Sequence, residues 1–316
     1  MTVGEDHVAP MEGIRVVDLS RVLAGPFATM VMGDLGAAVV KVEDPWVGDD
    51  TRQFGPPYQG DQSAYFLSVN RNKRSLALDL KRAAGRRVLH RLAAVADVLV
   101  ENFRPGTAAR LGIGYEELAE INPRLIYVSI SGFGQTGPLR DQPGYDAIAQ
   151  ARSGMMSVTG EPDGMPVRSG VATADLAAGM WALIGVLGAL RVRERTGRGQ
   201  WIDVSLLDAQ LSWLTHFAGG YFATGEVPGR LGSAHPSIVP YQAFSTADGH
   251  LMVAVGSDSL WRRFVQMLGS PAELLEEGYQ TNSDRVRNRD TLLPIVERLL
   301  RADSTAYWLG RCNDFG

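Results

Sequence analysis

Asp175 stands directly before the longest apolar stretch of the chain, which runs from Leu176 to Leu190. A stretch of this length and composition predicts a buried helix with Asp175 in its first turn. An acidic residue there commonly complements the free N–H groups and the helix dipole, without any chemical role. The same position keeps a carboxylate ionised and favours an oxyanion beside it, and a carboxylate can serve as a covalent nucleophile. Asp175 is therefore a candidate catalytic residue, with helix capping as the alternative.

Two further groups of residues could line a binding cleft. Tyr145 and Asp146 fit either the start of a helix or a phenol and a carboxylate that face a ligand. Residues 70–75, NRNKRS, place three cations before a predicted strand, and Arg104 and Arg110 follow another one. Such cations usually lie in solvated turns, but in a loop they can also attract a polyphosphate. The sequence leaves both interpretations open.

The glycine-rich segment 132–137, GFGQTG, matches the dinucleotide-binding fingerprint and follows a predicted strand. That fingerprint needs a helix directly after it to hold a pyrophosphate, whereas Pro138 and a loop-like composition follow here. We therefore predict a flexible glycine loop near a cleft, and no nicotinamide or flavin. The sequence has no P-loop, HExxH or GxSxG pattern and its five histidines are scattered, so no metal site is predicted.

The composition argues against several other classes of protein. A formal charge of −4 is unlike that of a nucleic-acid-binding protein. The single cysteine, Cys312, allows no internal disulfide and suits a reducing compartment. The N-terminus lacks the apolar core of a secretory signal, and the apolar stretch is shorter than a membrane span and interrupted by glycines. We expect a cytoplasmic protein with no membrane or nucleic-acid partner.

Strands alternate with helices over most of the chain, which predicts an α/β fold with a mostly parallel sheet covered on both faces. The predicted strands are Ile14–Leu19, Val39–Val42, Ser75–Leu80, Asp97–Phe103, Leu125–Ile130, Trp201–Ser205 and His250–Val255. The predicted helices are Phe27–Leu35, Arg82–Ala96, Glu116–Ile121, Ala174–Glu194, Leu206–Thr224 and Leu260–Leu268.

The length predicts two domains. We assign residues 1–224 to a large domain, residues 225–239 to a linker rich in glycine, proline and serine, and residues 240–316 to a smaller domain. The chain stops at RCNDFG with no predicted terminal helix, and we therefore expect that the second domain is left unfinished.

Nine segments in sequence order carry a family resemblance. They are GIRVVDLSRVLAGP, LGAAVVKVEDP, VGDDTR, NRNKRSLALDLK, ADVLVENFRPG, INPRLIYVSISGFG, GYDAIAQARSG, ADLAAGMWALIGVLGAL and RTGRGQWIDVSLLDA, and they cover most of residues 11–210. The chain resembles the class III CoA-transferases, or CaiB/BaiF family, which include formyl-CoA transferases and α-methylacyl-CoA racemases. The resemblance implies a Rossmann-like large domain, a smaller α+β domain joined by linkers, and an interlocked homodimer. Full-length relatives return to the large domain, whereas this sequence ends before that return.

The resemblance assigns Asp175 as the catalytic aspartate, which carries CoA as an aspartyl-CoA thioester. It implies acyl-CoA and a carboxylic acid as substrates, with CoA as the only cofactor. It also implies a set of CoA-binding residues: Val22, Leu23, Leu78, Asp79, Leu80, Lys81, Asn102, Phe103, Arg104, Arg110, Tyr145 and Asp146.

Some positions depart from the family pattern. Asp44 stands where relatives often have an arginine near the adenine, and Pro143 replaces a lysine of formyl-CoA transferases. Residues 232–241, GSAHPSIVPY, stand where those enzymes have a glycine-rich closing loop. These differences argue against formyl-CoA and oxalate as substrates.

Tyr145 bears on the choice of reaction. The racemases pair the aspartate with a histidine at this position, and proton exchange next to a carbonyl needs two acid–base groups. A tyrosine, with an ordinary pKa near 10, is a poor substitute at neutral pH. We therefore favour CoA transfer over 2-methylacyl-CoA racemisation. A CoA-binding protein without turnover is the third hypothesis.

Overall fold

A computed structural model describes residues 8–315 of the chain. By their internal contacts, residues 8–156 and 168–226 form one compact unit, here called unit 1, and residues 157–167 and 227–315 form another, unit 2. The sequence-based domain limits did not place residues 157–167 with the C-terminal part of the chain. In the structure Arg230 donates hydrogen bonds to the carbonyl oxygens of Glu161, Pro162 and Gly164, which ties this segment to unit 2.

The described strands are β1 (Arg15–Asp18), β2 (Ala38–Glu43), β3 (Tyr58–Gln59), β4 (Gln62–Ser63), β5 (Lys73–Ala77), β6 (Val98–Glu101), β7 (Ile126–Ser131), β8 (Trp201–Ser205), β9 (Tyr241–Ser245) and β10 (His250–Ala254). The described helices are α1 (Ala24–Asp34), α2 (Ala64–Val69), α3 (Ala83–Ala93), α4 (Thr107–Arg110), α5 (Tyr115–Ile121), α6 (Asp146–Arg152), α7 (Thr173–Thr196), α8 (Leu206–Leu211), α9 (Thr215–Thr224), α10 (Asp258–Met267), α11 (Asn282–Arg287), α12 (Arg289–Leu300) and α13 (Thr305–Phe315).

Unit 1 contains a six-stranded sheet in the order β5-β2-β1-β6-β7-β8, and every neighbouring pair is parallel. One face of the sheet packs on α1 and α7, and the other packs on α3 and α5. The predicted α/β class and parallel sheet are confirmed. The chain runs outward in both directions from β1 and β6, which makes their carboxyl ends a topological switch point, where α/β proteins bind ligands.

Helix α7 is the core helix of this unit. Its buried face consists almost entirely of small residues, among them Ala174, Ala178 and Ala182. These let α1 approach closely: a side chain at Gly179 would meet the carbonyl oxygen of Ala24 at 2.6 Å. The helix has 24 residues, more than predicted, and among the described helices it alone has the length and composition of a membrane span. Core helices of α/β units share that composition, and α7 packs on the sheet.

Two sequence-based predictions of local structure need correction. Strand β5 ends at Ala77 instead of Leu80, because its partner β2 ends at Glu43, which pairs with Ala77. The predicted helix 206–224 is divided into α8 and α9 by a tighter turn at Ser212–Leu214. Residue Thr215, which follows that turn, has a φ of 26°, outside the helical range.

Unit 2 combines the antiparallel pair β9–β10 with helices α10 to α13 around a separate apolar core. Arg285 is fully buried there and donates to the carbonyl oxygen of Val239 at 2.7 Å and to Asp258 at 2.9 Å. The prediction that no helix occupies the end of the described chain was wrong. Helix α13 forms because buried Trp308 packs on this core and donates from its indole to the carbonyl oxygen of Leu300.

Candidate active site

Two adjoining cavities open at the switch point between β1 and β6. The first, here the β5-side cavity, has a volume of about 330 Å³ and reaches the segment after β5. The second, the Asp175 cavity, has a volume of about 360 Å³ and reaches the start of α7. Arg21, Phe103 and Thr107 line both, so the two cavities form a continuous site in unit 1.

Most of the residues predicted to bind CoA come together at these cavities. The β5-side cavity is lined by Leu78, Asp79, Leu80, Lys81 and Phe103. The Asp175 cavity is lined by Val22, Leu23, Asn102, Phe103, Arg104 and Tyr145, together with the predicted nucleophile Asp175 itself. Arg110 and Asp146 line neither cavity. Arg110 ends α4 and donates to the hydroxyl of Thr107, which does line both.

The turn after β1 is fastened to the loop after β6 by one side chain. The Asn102 amide oxygen accepts the backbone N–H of Arg21 at 2.8 Å, and its amide nitrogen donates to the Arg21 carbonyl at 2.7 Å. The next residue, Val22, has a φ of 69°, a left-handed conformation that is unfavourable for a β-branched side chain. Strained residues of this kind persist only where their surroundings fix them, and they concentrate at functional sites.

Asp49 supports Val22 from beneath. Its carboxylate accepts the Val22 N–H at 3.3 Å, and its other oxygen lies 2.8 Å from the ammonium of Lys41. Both Asp49 and Lys41 are buried, so the pair is shielded from water. Lys41 also donates to the carbonyl oxygen of Ser20 at 2.7 Å, which fixes the residue before Arg21. The turn 20–22 is therefore fixed by Asn102 through Arg21 and by the buried Asp49–Lys41 pair through Val22 and Ser20.

The cation run 70–75 is not a single binding patch. Lys73 is buried, with its ammonium 3.0 Å from Asp18, and it donates to the carbonyl oxygen of Pro26 and the side chain of Asn70. Burial alone would raise the pKa of Asp18, but the charges of Lys73 and Lys41 hold that pKa well below its usual range. Lys73 is therefore part of the core, and a polyphosphate does not reach it.

Asp175 lies in the first turn of α7, but it does not cap that helix. The cap comes from α6: Asp146 accepts the N–H of Ala174 at 2.9 Å and that of Asp175 at 3.4 Å. Among the described residues, no group donates a hydrogen bond to the Asp175 carboxylate, which faces the cavity. The helix-capping role considered for Asp175 therefore belongs to Asp146.

The electrostatics of Asp175 differ from the sequence-based expectation that the helix N-terminus keeps it ionised. Burial, and then the neighbouring charge of Asp146, raise the pKa of Asp175 to about 7. Asp146 is itself fixed, because its second oxygen accepts from the buried side chain of Gln150 at 2.8 Å. The Gln150 amide oxygen accepts the N–H of Ser169 at 2.9 Å, so one amide ties α6 to the segment that leads into α7.

Glu101 ends β6 just before the predicted CoA-binding loop. It is buried, and its carboxylate accepts the N–H of Phe103 at 2.8 Å. Burial raises the pKa of Glu101 to about 7, against the hydrogen bonds from Ser129 and Phe103 that lower it. Glu101 thus orients Phe103, the aromatic residue at the junction of the two cavities.

Tyr65 in α2 was missed by the sequence analysis. It is half-buried, and its ring meets that of Phe54 edge-on with centroids 5.6 Å apart. Burial, and then the charges of Asp175 and Asp146, raise the pKa of Tyr65. No spacing in the sequence distinguishes Tyr65 from other aromatic residues of short helices, so only the fold reveals it.

The remaining predicted features are in or near the site. The glycine-rich segment 132–137 is a loop, as expected, and α6 does not begin until Asp146. Asp44 lines the β5-side cavity and accepts the N–H of Trp46 at 2.9 Å. Pro143 lines the Asp175 cavity. No cluster of potential metal ligands occurs among residues 8–315.

Several known proteins are similar to this chain in both sequence and fold. The chain is 49% identical to a succinyl-CoA:glutarate CoA-transferase of Mus musculus over 96% of its own length and 70% of that protein's. It is 46% identical to an acetyl-CoA:oxalate CoA-transferase of Acetobacter aceti over 95% of its length and 77% of that protein's. A crystal structure of a CaiB/BaiF family protein from Brucella suis is 42% identical, with a TM-score of 0.86 over 98% of this chain and 83% of that one. A sequence profile described as CoA-transferase family III matches residues 11–316. This chain belongs to CoA-transferase family III.

Proposed function

We propose that this protein transfers CoA from an acyl-CoA to a carboxylic acid through a thioester formed on Asp175. One observation carries the proposal: the Asp175 carboxylate faces a cavity at the switch point, and Asp146 has taken over the capping of its helix. A carboxylate that is released from capping and shielded from water is suited to act as a nucleophile.

The steps balance without ATP. The Asp175 carboxylate attacks the thioester carbonyl of the acyl-CoA, the carbon–sulfur bond breaks, and a mixed anhydride and CoA thiolate form. The thiolate attacks the aspartyl carbonyl of the anhydride, which leaves aspartyl-CoA thioester and frees the first acid as its carboxylate. The second carboxylate attacks this thioester and again expels the thiolate. Attack of the thiolate on the new acyl carbonyl gives the product acyl-CoA and regenerates Asp175.

The raised pKa of Asp175 has a direct consequence for this sequence of steps. The nucleophile must be ionised, and a pKa of about 7 leaves a fraction of Asp175 protonated at neutral pH. The same desolvation makes the ionised carboxylate more reactive, because fewer hydrogen bonds to it must be broken. We infer that the greater reactivity of the ionised Asp175 carboxylate offsets its incomplete ionisation.

The two cavities suggest how CoA lies. We place the nucleotide end in the β5-side cavity, near Leu78–Lys81, and the thioester in the Asp175 cavity. Phe103 lines both and would contact the pantetheine chain at the junction. Arg21 and Arg104 line the Asp175 cavity, and since the Arg21 guanidinium lies 3.2 Å from Asp50, we propose that Arg104 supplies the positive charge for anionic groups.

The acyl and acceptor groups are proposed from the relatives. The Mus musculus protein is named for succinyl-CoA and glutarate, and a relative from Haloarcula hispanica, 42% identical, is named for succinyl-CoA and mesaconate. We propose succinyl-CoA as donor and a dicarboxylic acid as acceptor. Asp44, Pro143 and residues 232–241 predict that oxalate is not used, whereas the Acetobacter aceti relative is named for oxalate, so the panel of acceptors tested must include oxalate.

Trapping the thioester tests the proposal. Protein mixed with succinyl-CoA is treated with borohydride, which reduces an aspartyl thioester, and the modified peptide is mapped by mass spectrometry. Label at Asp175, absent in Asp175→Asn, is the expected result. An unlabelled Asp175, with transfer intact in Asp175→Ala, would contradict the mechanism.

The alternatives give different outcomes in the same preparation. A racemase would exchange the α-hydrogen of a 2-methylacyl-CoA with deuterium from solvent and would need no acceptor. Tyr145, which directly precedes α6 and lines the Asp175 cavity, is a phenol at the position where the racemases have a histidine, and this difference favours transfer over racemisation. A binding protein without turnover would bind CoA by calorimetry yet form neither thioester nor product.

We also propose that the protein is a homodimer. Helix α7 exposes a row of apolar side chains on the face away from the sheet: Met180, Trp181, Ile184 and Leu187. Contiguous exposed apolar residues commonly mark an interface. The mass in solution from light scattering tests this, and a monomer at micromolar concentration would overturn it.

A further inference from the structure

Ser131, the last residue of β7, has a side chain without a hydrogen-bond partner. It is 7% exposed, and among the described residues no donor or acceptor pairs with its hydroxyl. An unpaired buried hydroxyl loses its hydrogen bonds to water without replacement, and such groups are uncommon in folded proteins. The rest of the fold gives no structural reason for a serine at this position.

Neighbouring polar side chains on the same part of the sheet are all engaged. Ser129, two residues earlier on the same strand face, accepts the indole N–H of Trp201 at 3.0 Å. Ser205, which is aligned with Ser131 on β8, accepts the N–H of Asp208 and so caps α8. Asp203 accepts the N–H of Gln135 at 2.9 Å. The unpaired state is therefore a property of Ser131 and not of this region.

Ser131 also lines a cavity that a ligand can enter. It lies at the carboxyl end of β7 and lines the Asp175 cavity together with Asp175. Its hydroxyl oxygen is buried in this structure, so a ligand oxygen reaches it after a rotation about the Cα–Cβ bond, and the hydroxyl can then donate to that oxygen. During CoA transfer the thioester carbonyl and the incoming carboxylate must both approach Asp175, and each presents such an oxygen.

We propose that the Ser131 hydroxyl binds the reacting acyl or carboxylate group by donating a hydrogen bond to its oxygen. This inference rests on the proposed CoA transfer, since that reaction brings these oxygens into the cavity. It adds a substrate-binding residue that presents no charge and no recognisable motif. Asp175 attacks the carbon, and Ser131 helps to hold the oxygen attached to it.

Binding to a non-reactive protein separates this inference from turnover. Dissociation constants for succinyl-CoA, glutarate and free CoA are measured by calorimetry on Asp175→Asn and on Asp175→Asn with Ser131→Ala. We expect the constant for succinyl-CoA or for glutarate to rise about three- to tenfold, the loss typical of one hydrogen bond. The constant for free CoA, which lacks both oxygens, should stay the same.

The ligand whose dissociation constant rises identifies the hydrogen-bond partner of Ser131. A rise for succinyl-CoA alone indicates the thioester carbonyl, and a rise for glutarate alone indicates the acceptor carboxylate. Unchanged constants for both would overturn the inference. So would an equal loss for free CoA, because the hydroxyl would then contact CoA itself. If wild-type protein forms no thioester while Ser131→Ala still weakens succinyl-CoA, the proposed transfer fails and the Ser131 contact stands.

Thermal unfolding without ligand gives a second, independent readout. Because Ser131 has no partner in the folded protein, Ser131→Ala should leave the Tm unchanged or slightly raised. The matched variant Ser129→Ala deprives the Trp201 indole of its acceptor and should lower the Tm. A fall for Ser131→Ala as large as that for Ser129→Ala would show that its hydroxyl is already paired, and would overturn the inference.

Discussion

Asp146 accepts a hydrogen bond from the backbone N–H of Asp175 at 3.4 Å, while its charge raises the pKa of the Asp175 carboxyl. One carboxylate thus holds another in position and makes it harder to ionise. The two effects have the same origin, because a group close enough to cap the helix start is close enough to repel a second negative charge there. They can nevertheless be separated by substitution.

Asp146→Asn should shift the pH dependence of thioester formation to lower pH. The amide oxygen can still accept the Ala174 N–H, but the repelling charge is gone, so the pKa of Asp175 falls toward its usual value. At pH 6 the rate, relative to its plateau, should rise about two- to fivefold. Single-turnover formation of the labelled thioester between pH 5 and 8 measures this. The control is Asp141→Asn, which changes an exposed carboxylate in the preceding loop and should leave the pH profile of thioester formation unchanged. Equal pH profiles for the wild-type protein, Asp146→Asn and Asp141→Asn would contradict the prediction.

Asp175→Asn should stabilise the protein at alkaline pH while it abolishes transfer. The unfolded chain releases the Asp175 proton near pH 4, whereas the folded protein holds it until about pH 7. The folded state therefore binds more protons in this range, stability falls as pH rises, and the penalty is complete above pH 7. The Tm gain of the variant should be larger at pH 8 than at pH 5, by about 2–5 °C. Calorimetric scans at both values test this, and a lower Tm at pH 8 would contradict it.

Asn102→Ala should weaken CoA binding by releasing the turn that holds Val22. Two hydrogen bonds to Arg21 are lost, which should lower the free energy of unfolding by about 1–2 kcal/mol and raise the CoA dissociation constant about tenfold or more. Asn122 offers a matched control, because its side chain clamps the carbonyl oxygens of Ala93 and Ala96 away from the cavities. Asn122→Ala should cost similar stability and leave CoA affinity unchanged. If Asn102→Ala and Asn122→Ala bind CoA equally well, the hydrogen bonds of Asn102 to Arg21 do not contribute to CoA binding.

Lys73→Ala should be far more damaging than Arg71→Ala, although both cations belong to the same run. Lys73 neutralises buried Asp18, and removing one partner of a buried pair costs about 3–5 kcal/mol. The side chain of Arg71 is 55% exposed beside Asp34, and such a pair contributes about 0–1 kcal/mol. Urea unfolding of the two variants measures the difference. Equal destabilisation would show that the burial of Lys73 is not decisive.

The alternation of elements predicted the parallel sheet well, because strands buried on both faces give short, mostly apolar runs such as Leu125–Ile130. The end of β5 was missed, since where a strand ends depends on its partner and not on its own composition. Chain order placed Val22, Asn102 and Asp175 on separate segments, and the family resemblance grouped them. Their contacts could not be predicted, because the choice of Asp146 over Asp175 as helix cap and the unpaired state of Ser131 depend on packing.

The chain leaves unit 1 after α6 and returns to it at residue 168, five residues before α7 begins. The buried Gln150 amide fastens the returning segment at Ser169, and the same side chain holds Asp146. Because these hydrogen bonds fix Ser169, a change in the length of segment 157–167 should not alter the positions of the residues that follow Ser169 in unit 1. Insertions and deletions in segment 157–167 should therefore leave Asp175 in place. The length and sequence of this segment can vary while the geometry around Asp175 is kept.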